Sequence, residues 1–250
     1  GVKIRIVHSH NDLSVVNYSK PRKLLQKLYK KIIKKLATKK VGCSQAALNY
    51  LFEDDNGIVV NNAIDLEKFN IEKISKREKN EKILKLLHVG NFSTQKNQTF
   101  LIEIAEELKM KKILFHLKLI GGESQYIYSV KELIEKYRLE NYIDILPSNS
   151  NIPYEMYNSD LFLFPSKYEG LGIVLIEAQA VGLHCLVSEV IPPEANLGNL
   201  ETIHSFSLEN WVNKIEDYNL KRPEKKYVDM STYDIKNIIK IYKNLYNGTI

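Results

Sequence analysis

The sequence predicts an α/β fold built on a parallel sheet with helices on both faces. Three observations carry this. From Ile83 onward, short apolar runs alternate with stretches of helical spacing, the order that produces strand–helix–strand crossovers. Leu161 to Phe164 is apolar at every position and is followed by Pro165-Ser166, as expected of a strand buried on both faces. Glycines stand at the ends of several runs, where a backbone must turn sharply or approach a neighbour closely.

In chain order, Ile4 to Val7 is a strand that ends in His8-Ser9-His10-Asn11. Lys20 to Lys40 contains ten Lys or Arg and no acid, whereas the rest of the chain has 26 basic and 30 acidic residues; the net charge of +6 therefore lies in this one segment. Leu24, Leu25, Leu28, Tyr29, Ile32, Ile33, Leu36 and Ala37 form a helical apolar stripe there. The stripe either packs on its own domain or, as part of a basic amphipathic helix, lies on anionic lipid; both hold if only the lysines meet headgroups. The segment has one aromatic and no nucleic-acid motif, so nucleic acid is not expected as a partner.

Val41 to Ser44 reads as a strand whose Ser44 caps a helix running to about Phe52, and Gly57 to Val60 reads as another strand. The charged stretch Glu72 to Lys82 reads as a surface linker. Strands then follow at Ile83–Val89, Ile113–Ile120, Tyr142–Leu146, Leu183–Ser188 and Ile203–Phe206. Helices are expected from Lys96 to Met110, Ser124 to Tyr137, Tyr154 to Asn158, Leu208 to Tyr218 and Asp234 to Tyr246. The pattern is Rossmann-like but lacks G-x-G-x-x-G, so no NAD site is predicted. Gly121-Gly122 reads as a tight turn needing positive φ. Cys43 and Cys185 are far apart without metal-ligand spacing and read as reduced core thiols, and His8 and His184 as structural.

The candidate site lies in Asp160 to Gly182, DLFLFPSKYEGLGIVLIEAQAVG. Glu169-Gly170-Leu171-Gly172 leads into a helix from Ile173, and unpaired amides with a positive dipole end make such a helix start a seat for phosphate. Glu169 and Glu177 are too far apart for one acid/base dyad but suit two ends of an elongated ligand. Taken singly, each glutamate reads as a solvated charge; together with the strand and the glycines they read as a nucleotide-sugar site. Gly90-Asn91, with Lys96 beyond, closes the first strand of this half and can place a cation on a diphosphate. His10 ends the first strand, again at a carboxyl edge. The histidine pair has no third ligand nearby, so no metal is predicted.

Glu169, seven residues and Glu177, followed by Ala178, Ala180 and Gly182, resembles the E-x7-E signature of retaining GT-B glycosyltransferases of family four. The run PSKYEGLGIVLIEAQAVGLHCLVSEVIPPEAN is similar to the branch that builds capsular and exopolysaccharides. The resemblance implies hexosyl transfer with retention from a nucleoside-diphosphate sugar, UDP-type in preference to GDP-type, to a carbohydrate or lipid-linked acceptor, without metal or other cofactor. It implies that Glu169 positions the hexose, Glu177 the ribose, Lys96 the diphosphate, and His10 the sugar from the opposite domain. Gly90, Asn91 and the backbone of Gly170, Leu171, Gly172 and Ile173 would bind the nucleotide. Asn91 stands where the family carries an arginine.

By the same resemblance, residues 1–65 are the remaining part of an N-terminal acceptor domain, 66–82 a linker, 83–228 the donor-binding domain, and 229–250 a helix returning to the first domain. The expected architecture is thus GT-B-like: one complete Rossmann-like domain preceded by a partial one, with a separate chain as a candidate supplier of the missing half. No apolar run approaches a membrane span and the first residues lack a signal sequence, so the expected location is cytoplasmic, peripheral on the inner face of the membrane. The alternative functions are a nucleotide-sugar-binding partner subunit or inactive remnant of a split or truncated transferase, and a nucleotide-sugar epimerase on the same architecture.

Overall fold

A computed structural model describes residues 1–10, 18–53, 56–75, 82–122 and 124–249. Asn11 and Glu123, and the middle of the expected linker (76–81), lie outside them. The described strands form two parallel sheets.

The small sheet has the order β1 (Ile6–Ser9), β2 (Lys39–Gly42), β3 (Ile58–Val59). The first two strands each lie two residues from where hydrophobicity alone puts them, Ile6–Ser9 against Ile4–Val7 and Lys39–Gly42 against Val41–Ser44. Register explains this: Ile6 pairs with Lys39 and Ser9 with Gly42, so each strand is only as long as its partner permits. Helix α1 (Lys20–Leu36) joins β1 to β2, and α2 (Gln45–Phe52) joins β2 to β3. Ser44 caps α2, its hydroxyl accepting from Ala47 N at 3.1 Å. Leu48 of α2 presses on Gly42 and Gly57; a Cβ at either glycine would come within 2.7 Å and 2.4 Å of it.

The large sheet contains β4 (Leu84–Val89), β5 (Phe115–Gly121), β6 (Ile143–Pro147), β7 (Leu161–Phe164), β8 (His184–Ser188) and β9 (Leu200–Ile203). Its order is β6-β5-β4-β7-β8-β9. The chain builds outward from β4 to β6, then returns to the centre and builds the other way from β7. Successive side chains of a strand face opposite sides, so Leu86 and Leu87 enter different cores. On one side lie α3 (Gln98–Met110), α4 (Tyr126–Lys136) and α7 (Leu208–Lys221), with fully buried Trp211 edge-on to Phe100 at 5.8 Å. On the other lie α5 (Ile152–Asn158) and α6 (Ile173–Ala180), together with Ile64, Phe69 and Tyr233. Leu161 to Phe164 are all fully buried, between these two cores.

The last strand is a correction: it spans Leu200–Ile203, not 203–206. Ile203 pairs with Ser188, where β8 ends, and beyond it Phe206 turns edge-on to Phe100. Helix α8 (Ile235–Asn247) sets Ile238 and Leu245 against Val41 and Val60 of the small-sheet region. Ile64 is bridged to Asp234, which also ties the segment after β3 to the start of α8.

Packing of the α1 stripe on its own domain, one of the two settings left open, is met only in part: Ile33 and Ala37 are half-buried. Helix α1 has no buried residue, and Leu24, Leu25, Leu28, Tyr29, Ile32 and Leu36 are all exposed, Leu24 by 72%. With three strands in the small sheet, α1 meets α2 across an open groove of about 890 Å³ lined by Leu24, Leu28, Leu51 and Phe52. Lys30 closes one part of it, donating to Tyr50 O and lying over the Tyr50 ring. Among the described residues no helix is long and apolar enough to cross a membrane.

Candidate functional site

Strands β4 and β7 are neighbours although 71 residues, 90 to 160, separate the end of β4 from the start of β7; Leu86 pairs with Leu161 and Leu87 with Phe162.

 

That adjacency is the switch point of the sheet, where the winding direction reverses and the loops leaving two neighbouring strands diverge to open a crevice. The loop after β4 carries Gly90, Asn91 and Lys96; the loop after β7 carries Glu169 to Gly172. Both sets of sequence-predicted residues therefore flank one crevice at the carboxyl ends of the central strands.

The turn after β4 is packed tightly against the end of β5. A Cβ on Gly121 would lie 2.2 Å from Gly90 O, and one on Gly122 would lie 2.9 Å from Asn91 Oδ1. Neither glycine has positive φ, which corrects the tight-turn reading: the Gly90 backbone at Gly121 and the Asn91 side chain at Gly122, not left-handed geometry, oppose a side chain there. Asn91 uses its side-chain oxygen to accept from Gly122 N at 3.2 Å. A fully buried pair beneath holds the same turn. Gln98 Nε2 lies 3.2 Å from Gly90 O, 3.1 Å from Asn91 O and 3.3 Å from His88 Nε2, while its Oε1 accepts from Ser93 N. His88 Nδ1 is 2.9 Å from Leu163 O, an acceptor, so Nδ1 carries the proton and Nε2 accepts from Gln98. Burial lowers the His88 pKa to about 4, with the Leu163 hydrogen bond opposing and the Lys96 charge adding to the shift. The ring stays neutral at ordinary pH.

Lys96 and Glu169 meet across the crevice. Lys96 Nζ is 2.5 Å from Glu169 Oε1, and the side chains are only 17% and 9% exposed. The ammonium also lies 4.5 Å from the centre of the Phe164 ring, and its stem passes over Gly90, where a Cβ would come within 3.2 Å of Lys96 Cδ. Gln95 binds the same loop: its carbonyl accepts from Lys167 N at 2.8 Å, and its Nε2 donates to Tyr168 O at 2.9 Å and to Glu169 Oε1 at 3.4 Å.

Gly172, with φ of +74°, is the residue before α6, a left-handed geometry that disfavours any side chain. Among the described residues no side chain caps α6, so the amides of Ile173 and the first turn keep their capacity for a ligand. Leu171 between the glycines is buried, and Gly170 O accepts from Ser44 Oγ of the small-sheet region at 3.4 Å. Glu177, one turn further along α6, makes no hydrogen bond or ion pair with a described residue. Burial raises its pKa to about 7, and the charge of Lys68 offsets part of that.

His10 is not in contact with these groups. Its Nδ1 lies 3.0 Å from Asn62 Oδ1, and its ring stacks on His8 at 5.9 Å; His8 in turn packs on Tyr242. It does leave β1 at the edge of the small sheet from which Ser44 reaches Gly170. His184 stacks on Tyr218 and pairs with Glu201, and both cysteines are buried and free. Among the described residues no three His, Cys, Asp or Glu converge to hold a metal ion. Three residues of this region, His88, Gln95 and Gln98, are not singled out from the sequence. Gln95 and Gln98 are discoverable as near neighbours of Lys96, whereas His88 acts through Leu163 O, 75 positions away, which local pattern does not reveal; Ser44 reads as a cap, but its reach to Gly170 O, 126 positions away, is not legible.

The chain is similar to several known proteins. The capsular polysaccharide biosynthesis glycosyltransferase CapH of Staphylococcus aureus is 28% identical over 258 residues, 98% of this chain and 70% of its own length. The UDP-Gal:alpha-D-GlcNAc-diphosphoundecaprenol alpha-1,3-galactosyltransferase of Escherichia coli is 30% identical over 141 residues, 53% of this chain and 36% of its own. Among solved structures, Anabaena Alr3699/HepE in complex with UDP and glucose superposes with a TM-score of 0.77 at 18% identity, over 96% of this chain and 71% of that one. This likeness establishes the fold, GT-B-like with parallel Rossmann-like sheets. Residues 69–236 match the family of glycosyl transferases group 1, and it is to this family that the chain belongs.

Proposed function

We propose that the chain acts in transfer of a hexosyl group from a nucleoside-diphosphate sugar, UDP-type, to a carbohydrate or lipid-linked saccharide, with retention, in surface polysaccharide synthesis. The observation that carries this reading is the meeting of Lys96 and Glu169 beside an uncapped helix start at the sheet's switch point. The diphosphate lies on the first turn of α6 and draws the Lys96 ammonium away from Glu169. The freed carboxylate then accepts from hydroxyls of the hexose, and Glu177 from those of the ribose. As the bond from the anomeric carbon to the diphosphate breaks and the acceptor oxygen bonds to that carbon, the acceptor's hydroxyl proton passes to the departing diphosphate oxygen, and the charge that grows on this leaving group is stabilised by Lys96 and the helix dipole. His10 approaches the sugar from the small-sheet edge. Asn91, held by Gly122 N, gives the turn its shape without a charge, which leaves Lys96 as the cation of that loop.

The UDP preference is supported by the UDP and glucose in the HepE complex and by the UDP-Gal in the name of the Escherichia coli relative; the lipid-linked acceptor is supported by that same name, and the capsular role by that of CapH. Calorimetric titration of the chain with UDP and GDP tests the donor site. Tighter binding of UDP, by tenfold or more, is the expected result, and a folded sample that binds neither would overturn the reading. Product analysis separates transfer from epimerisation, which interconverts two nucleotide-sugars without an acceptor.

Helix α1 supports a peripheral membrane location. Its apolar stripe is exposed beside the cluster of lysines, and each cation near an anionic surface contributes roughly 1 kcal/mol. The chain is expected to sediment with phosphatidylglycerol-containing vesicles at low salt and to be released by high salt or by the combined changes Lys27→Glu, Lys31→Glu and Lys34→Glu. Equal sedimentation with neutral vesicles would remove the electrostatic part of the proposal.

A further inference from the structure

We propose that Gln95 is a positioning residue that holds the Glu169 carboxylate against the donor hexose, an inference that rests on the donor-site reading above. The loop from Pro165 to Gly172 has no helix or strand of its own, so external groups must fix it. Ser188 donates to Ser166 O at 2.5 Å, and Ser44 to Gly170 O at 3.4 Å; both grip backbone only. Gln95 takes the three residues between them in succession: its carbonyl receives Lys167 N, and its side-chain amide reaches Tyr168 O and Glu169 Oε1. Two N–H groups on one amide nitrogen match two acceptors, one on the backbone and one on the carboxylate.

Lys96 contacts the same oxygen, but the two donors differ in what a diphosphate does to them. The ammonium is attracted by the incoming charge and can leave Glu169. The Gln95 amide is neutral and is tethered to Tyr168 O, so it stays. It keeps the carboxylate aimed while Lys96 changes partner, at the moment when hexose hydroxyls need a fixed acceptor. Holding the reacting group in one geometry before binding is the general source of such an effect.

The test is titration of the parent chain, Gln95→Ala, Gln95→Glu and Glu169→Gln with UDP, UDP-glucose and UDP-galactose, with thermal melts as controls. UDP lacks the hexose, so its affinity is expected to stay within about twofold in Gln95→Ala, the neutral variant. The affinity added by the preferred hexose is expected to fall about tenfold in Gln95→Ala, as in Glu169→Gln, and further in Gln95→Glu, which keeps the size but sets a second carboxylate against Glu169. In the double variant, Gln95→Ala is expected to add little to Glu169→Gln, since both act on one contact. Equal losses for UDP and UDP-hexose, or a hexose contribution that survives in Gln95→Ala while it is lost in Glu169→Gln, would overturn the inference and leave the donor site standing. A parent that binds none of the three would overturn the donor site itself, and this inference with it.

Discussion

Lys96→Ala is expected to weaken UDP binding on the order of 10²-fold, toward the lower end of the cost of truncating one partner of a buried, hydrogen-bonded charge pair. Two causes act in the same direction. The diphosphate loses its cation, and Glu169, 9% exposed, loses the ammonium 2.5 Å from its Oε1 and presents an uncompensated negative charge to the incoming nucleotide. The second cause can be separated from the first. Adding Glu169→Gln to Lys96→Ala removes the repulsion and is expected to restore part of the UDP affinity, while the hexose contribution stays lost. UDP binding by Lys96→Ala at the parental level would show that the ammonium serves Glu169 alone and that the diphosphate is held elsewhere.

Glu177 is expected to make donor binding pH-dependent. Its pKa is raised to about 7 by burial, and ribose hydroxyls bind the ionised form, which is acceptor-only. Ionisation rises about tenfold between pH 6 and pH 8 for such a group, so affinity for a UDP-hexose should rise by up to about tenfold over that interval. Glu177→Gln should bind more weakly and without this slope. Stability moves the other way. A carboxyl whose folded pKa lies above its unfolded value of 4.5 adds most to stability below that value, and the contribution is lost as pH rises through about 7. Glu177→Gln is therefore expected to melt with the parent near pH 4.5 and, at pH 8, to melt roughly 2–4 °C higher for a gain of about 1 kcal/mol. A flat pH profile for UDP-hexose binding by the parent would remove Glu177 from the ribose site.

Much of the large sheet was legible from the chain. The run Leu161–Phe164 reads as a strand buried on both faces because all four residues are apolar, and each is fully buried between two cores. Ser44 reads as a cap because a hydroxyl before a helical run has a local backbone partner, Ala47 N. The failures have equally physical origins. The glycine pair Gly121-Gly122 most simply suggests a turn with positive φ, whereas the obstacle to a Cβ at Gly121 is Gly90 O in the turn that follows the neighbouring strand β4. Ile203–Phe206 is apolar enough for a strand, but β8 ends at the partner of Ile203, leaving Phe206 nothing to pair with. The α1 stripe is amphipathic as read; its exposure depends on which surfaces surround it.

Sequence alone determined the kind of each main element and the residues that could carry chemistry, because helical and strand periods, caps and glycine signals all act within a few positions of the chain. Tertiary structure decided which of those residues meet. Lys96 and Glu169 are 73 positions apart, and nothing in either local pattern states that β4 and β7 lie side by side. Strand order is set by how helices α3 to α7 share the two faces of one sheet, a property of the packed whole. The same packing brings Gln95 to the Glu169 loop, Gln98 to the Gly90 turn and Ser44 to Gly170, and burial inside it moves Glu177 and His88 away from their ordinary titration.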